Sequence, residues 1–339
     1  MVRLIAALLL CATGSQAQDV ELTILQKGRS TSIRGVSVVD DSVAWVSGSD
    51  GWIGRTADRG ETWHWGRTVG YETTDFRDIE AFSSNEAVII SAGSPLVILL
   101  TEDGGQTWRE THRDERPEVF FDGMDFWDDR QGIAYGDPIG GVMQLLKTTD
   151  GGASWQTISH TANIRLADGE AGFAASGTGI RTLDGGHVFI ATGGSRARLL
   201  HSADGGDTWA ANGCPMAQGS ASTGIFSIAF RNDRQGIAVG GDYQRDERTN
   251  DAVYLTSDGG TNWVAPGKGT NGYRSSVEYL NANTVVASGT SGVDISFDGG
   301  LHWHALSGES FHVVRKAKHG SWILLAGADG RIATLASRL

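Results

Sequence analysis

Six near-copies of one eight-residue phrase constrain this chain more than any other feature. Residues 148–155 read Thr-Thr-Asp-Gly-Gly-Ala-Ser-Trp, and close copies occupy 56–63, 101–108, 202–209, 256–263 and 296–303. Each has Ser or Thr, then Asp two residues on, Gly two after that, and Trp three later. The aspartates Asp58, Asp103, Asp150, Asp204, Asp258 and Asp298 are separated by 45, 47, 54, 54 and 40 residues. Self-similarity at roughly 40–50 residues is the period of a propeller blade. The sequence therefore predicts an all-β fold, a single β-propeller with Asp-box turns spanning residues 18–339.

Aligning on the phrase gives a blade template: an inner strand, a second strand ending in Gly, an apolar third strand, the repeated turn, and a strand after Trp. Six blades follow, the fourth, about 172–211, being the most divergent. A seventh opens at Phe311, because Gly-Ala-Asp-Gly-Arg-Ile at 327–332 matches Gly-Ser-Asp-Gly-Trp-Ile at 48–53. That blade lacks a fourth strand. Residues 20–25 alternate as a strand should and have no blade of their own, so the ring of seven is expected to close with the N-terminal strand completing the last blade. Closure removes strand edges open to aggregation.

The repeated Asp suits a tight turn, where its side chain accepts backbone N–H bonds two or so residues on. The Gly tolerates angles that other residues avoid. Trp63, Trp108, Trp155, Trp209, Trp263 and Trp303 follow, each placed to pack between blades. One carboxylate per turn falls far short of the six to eight oxygens calcium takes, so the motif reads as structural. His302 and His304 flank Trp303 without a third ligand. No metal or cofactor is expected, and no catalytic residue is assigned.

Residues 1–17 read as a signal peptide, with Arg3, an apolar run from Leu4 to Ala12, and a Ser-Gln-Ala cleavage site near Ala17. The protein is expected to be exported, periplasmic or secreted, and monomeric; lipoprotein anchoring through Cys11 is the alternative. Once the leader is removed only Cys214 remains, so no intrachain disulfide forms. It reads as a plain, unreactive thiol. The formal charge of −12 argues against a nucleic-acid partner.

In a four-stranded blade the repeated turns mark one face of the ring. The longest insertions, 137–141, 161–171 and 241–252, fall on the other, where recognition usually sits. The residue after each leading apolar position of the inner strands is Arg34, Arg77, Asp122, Ala174, Ser227, Arg274 and His312. Arg34, Arg77 and Arg274 would stand together around the axis and hold an anion or an acidic partner loop, since guanidinium forks suit carboxylates. Alternatively each pairs with an acid such as Asp78, Glu80 or Asp122, as buried charges usually do. Asp242, Tyr243 and Arg245, with Arg165, Glu170 and Arg248, could extend the surface.

The inner Arg-Gly strand, Trp45 and Gly48, and Asp50-Gly51-x-Ile53 leading into the turn resemble the photosystem II assembly and stability factor family, the Ycf48/HCF136-like propellers, including its relatives in non-photosynthetic bacteria. The resemblance covers essentially the whole mature chain. It implies an exported seven-bladed scaffold, not an enzyme, that binds a protein partner such as a membrane-protein assembly intermediate through an arginine patch. Asp boxes are also shared with sialidases. That alternative, a glycoside hydrolase or carbohydrate-binding propeller, would use the three arginines with Tyr243 or Tyr273 and Glu170, but Arg34 is followed by Gly35-Val36 in place of the Ile-Pro of that family's arginine motif.

Overall fold

The computed structural model describes residues 20–337; the expected leader, its cleavage point and Cys11 lie outside the described residues. Seven antiparallel sheets succeed one another as seven blades. Blade one runs outward through Ile33–Val38, Ala44–Gly48, Trp52–Thr56 and His64–Arg67. Each inner strand packs on the next, and that of blade seven, Val313–Lys316, returns to Ile33–Val38. The ring closes as the sequence predicts. Val20–Gln26 pairs antiparallel with Ile332–Ser337, in register from Val20↔Ser337 to Ile24↔Ala333, and supplies the outer strand of blade seven.

There is no single central core. Apolar side chains gather in wedges, each between one blade and the next. Trp45, Ile79, Ile89 and Leu99 fill the wedge between blades one and two, and Val36, Val46, Val313 and Trp322 that between seven and one. Every blade therefore buries both faces, which is why its middle strands read as continuous apolar runs such as Leu96–Thr101. The turn tryptophans cap these wedges; Trp303 is wholly buried and Trp155 nearly so.

The repeated turns share one hydrogen-bond set, different in detail from the sequence expectation. At 101–108, Asp103 Oδ1 accepts from Thr101 Oγ1 at 2.9 Å and from Thr107 N at 2.9 Å, four residues on rather than two. Its Oδ2 accepts from Thr107 Oγ1 at 2.6 Å. The Thr107 hydroxyl and amide hold the Asp103 carboxyl down to about 2. Thr101 Oγ1 also accepts from Gly105 N at 3.0 Å. Both carboxylate oxygens are thus used inside the turn.

Two blades depart from the template. In blade five the fourth position holds only an isolated bridge, Leu255↔Val264, before Pro266 ends the extended run. In blade four the inner strand is Ile180–Leu183. The blade therefore begins at 180, not near 172, and Ala174 is not on an inner strand. Residues 172–179 leave the sheet instead and cross the axis of the ring.

Candidate functional site

A recurrent irregularity places the site. In blades one, two, three and five the register slips between Ile33 and Gly35, Phe76 and Asp78, Phe121 and Gly123, and Ile225 and Ser227. The residue left over is Arg34, Arg77, Asp122 or Phe226. A bulge re-aims one side chain out of the ladder, and here it does so at the end of the axis opposite the repeated turns.

This register corrects two sequence assignments. In blade five the bulge residue is Phe226, not Ser227; Ser227 is buried, its Oγ accepting from Val277 N at 2.9 Å. In blade six Ser276 pairs with Ser288 as Gly35 pairs with Ser47, so the counterpart of Arg34 is Ser275. Arg274 lies one position back, 1% exposed, and its Nη2 meets Asp294 at 2.6 Å. It also donates to Ser291 Oγ and the Tyr273 carbonyl. Arg274 is a structural tie within blade six, and the three arginines do not converge.

Arg34, Arg77, Asp122, Ser275 and His312 do surround one cavity of about 330 Å³. Tyr243, from the 241–252 insertion, stands at its rim. Its floor is the blade-four segment. The Ala175 carbonyl accepts from Arg34 Nη1 at 2.9 Å, and the Ala174 carbonyl from Arg77 Nη1 at 3.3 Å. Ser176 Oγ donates to the Ser275 carbonyl at 2.7 Å, and Gly172 N to Asp137 Oδ1 at 3.0 Å. Residues 172–178 are thereby tied to blades one, two, three and six. Beyond them the axis holds paired charges, Arg181 with Glu278 at 2.8 Å and Lys318 with Glu80.

The cavity is electrically lopsided. Arg77 pairs with Asp75 at 2.8 Å, but among the described residues Arg34 has no carboxylate within 4.0 Å. Burial, then the neighbouring Arg77 charge, lowers Arg34 from its ordinary value. Burial, followed by Arg34, takes His312 down to about 4, and its Nδ1 lies 3.0 Å from the Ile33 carbonyl, so the ring is neutral with Nδ1–H donating. Burial, then Asp137, pushes Asp122 well above the carboxylate range, against the smaller lowering effects of the Arg77 charge and the Ala174 amide. The cation that Asp122 faces is Arg77, and the carboxylate charge that reaches Arg34 is that of Asp75, already paired with Arg77. None of the acids expected to neutralise the arginines, Asp78, Glu80 or Asp122, forms an ion pair with them.

Other sequence candidates fall outside the cavity. Asp242 is buried and turns back on its own loop, accepting from Gln244 N and pairing with Arg245 at 3.0 Å. Glu170 is spent on Arg198 at 2.7 Å and does not line the cavity, whereas Tyr273 is buried and does line it. The arginine triad and Tyr–Glu pair of a sialidase-like site are not formed. Reading the sequence also missed Phe173 and Phe226, which line the cavity. The available signal was the run Gly-Phe-Ala-Ala-Ser-Gly-Thr-Gly at 172–179, which has no strand alternation and three glycines.

No protein-family profile and no curated protein sequence matches this chain. Solved structures do. A structure of YCF48 bound to a D1 peptide superposes with a TM-score of 0.67 at 17% identity, covering 94% of this chain and 97% of that one. YCF48 from Cyanidioschyzon merolae gives 0.66 at 17% identity, covering 92% and 98%. A GH74 xyloglucanase from Xanthomonas campestris gives 0.62 at 15% identity, covering 93% of this chain and 53% of the enzyme. At these identities the likeness shows the fold, which hosts binding and hydrolysis alike.

Proposed function

We propose that this protein is an exported, non-enzymatic scaffold that docks an acidic segment of a protein partner in the axial cavity opposite the repeated turns. The observation that carries the reading is the Arg34–Arg77 pair: two adjacent guanidiniums at a cavity, with Asp75 as their one ion-pair partner among the described residues. A buried charge without a counter-ion is costly, and an incoming carboxylate would supply one in bidentate geometry. The likeness to YCF48 bound to a D1 peptide supports a peptide as occupant; that the peptide belongs to a membrane-protein assembly intermediate is our proposal for the class of partner.

The test is affinity capture from native envelope extract with wild-type protein and with the Arg34→Glu/Arg77→Glu double variant. Both arginines line the cavity and are only partly buried, and the variant's melting curve checks that it keeps its fold. Loss of a specific co-purifying protein in the variant supports the reading. Identical recovery by both proteins overturns it.

A further inference from the structure

The cavity has a second half that the arginines do not explain. Where blades one and two place Arg34 and Arg77 at the bulge, blade five places Phe226. Phe173, from the floor segment, stacks on Phe226 with ring centroids 3.8 Å apart and planes at 17°. Tyr273 meets Phe226 edge-on at 4.8 Å, and Tyr243 does so at 6.0 Å. Tyr243 is 47% exposed, although it stands against a buried aromatic group at the rim of a cavity. The halves adjoin, since Arg34 and Arg77 line the same cavity as Phe173, Phe226, Tyr243 and Tyr273.

We infer that this aromatic wall is a specificity subsite, and that the partner segment presents an aromatic side chain beside its acidic group. The inference rests on the acidic-segment reading above and adds a requirement to it. An aromatic ring entering between Phe173 and Tyr243 would cover exposed ring surface and complete edge-to-face contacts of the kind already present, while the neighbouring carboxylate meets Arg34. Arginine beside a buried aromatic cluster is also the composition of interface anchor sites.

The experiment is calorimetric titration of the whole protein with three capped tripeptides: acetyl-phenylalanyl-aspartyl-phenylalaninamide, its alanine-flanked counterpart, and its asparagine-centred counterpart. The aromatic acidic probe should bind at least about tenfold tighter than the alanine-flanked one, the gain expected from burying an aromatic side chain. Tyr243→Ala, on an exposed loop, should erase most of that preference and leave the alanine-flanked probe unchanged; Phe173→Leu serves as a second variant. Equal affinity for the two acidic probes, or a preference untouched by both variants, overturns the inference and leaves the acidic-segment reading standing. Equal affinity for the aspartate and asparagine probes overturns the acidic-segment reading and the inference that rests on it, and if no probe binds both fall as well.

Discussion

The Arg34 guanidinium, on the inner strand of blade one, donates to the Ala175 carbonyl at 2.9 Å across the axis of the ring, from a segment 141 residues further on. A charged group is thus parked on a neutral acceptor beside a second cation. Its charge is incompletely compensated, whereas that of Arg274 is fully compensated by Asp294.

The two arginines should therefore respond very unequally to removal of charge. Arg274→Met strands a buried Asp294 and should cost about 3–5 kcal/mol. Arg34→Met loses one hydrogen bond but relieves an unpaired charge, and should change stability by less than about 1 kcal/mol. Denaturant titration of both variants checks this, and equal losses would contradict the assignment of roles.

Gly177 should not tolerate a side chain. Its φ is +66°, and a Cβ would lie 2.2 Å from Asp78 Oδ1. Asp78 is fixed, accepting from Ile79 N and Met124 N at 2.9 Å each. Gly177→Ala should cost roughly 2–4 kcal/mol. Gly140, at φ +61° with open space around it, supplies the control, where alanine should cost only about 1–2 kcal/mol.

Two buried groups at the cavity give opposite pH dependences. His312 titrates near 4 when folded and about 6.5 when unfolded. Between those values the unfolded chain binds the extra proton, so stability falls as pH drops from about 6.5 to about 4, by at most roughly 3 kcal/mol. Asp122 is raised by burial and Asp137; above about 3.9 the unfolded chain loses that proton first, so its contribution worsens as pH rises. Asp122→Asn should thus raise the melting temperature at pH 7.5, with the gain fading toward pH 4. Scanning calorimetry across that range reads both effects.

Cys214 is buried against the wedge between blades four and five, and burial pushes its thiol up to about 12. The thiolate is the reactive form. At pH 8 a disulfide reagent should modify the native protein at least about a hundredfold more slowly than the denatured chain.

Much of this architecture was legible because spacing encodes it. Asp58 to Asp298 set the blade period, and Gly327 to Ile332 revealed a seventh blade needing residues 20–25 as its fourth strand. The site was legible only in part. Arg34 and Arg77 lie where alignment places them, because blades one and two keep the same bulge. Arg274 and Ser227 were displaced by one residue each, and a one-residue shift sends a side chain to the other face. Nothing local marks whether a strand carries a bulge. The floor segment was illegible for a different reason: its partners, from Asp137 to Arg34 and Ser275, come from four other blades, and such bonds leave no periodic trace.

The seam between Val20–Gln26 and Ile332–Ser337 has a mechanical meaning as well. The strands are antiparallel, and Val20 pairs with Ser337 at one extremity of the seam. Tension applied between those two residues would load the register pairs one after another, as in peeling tape, rather than all together as in shear. Force applied at that end therefore meets one register pair at a time. A tether attached there would open blade seven from its outer edge and leave the Arg34 cavity, at the opposite end of the axis, intact until late.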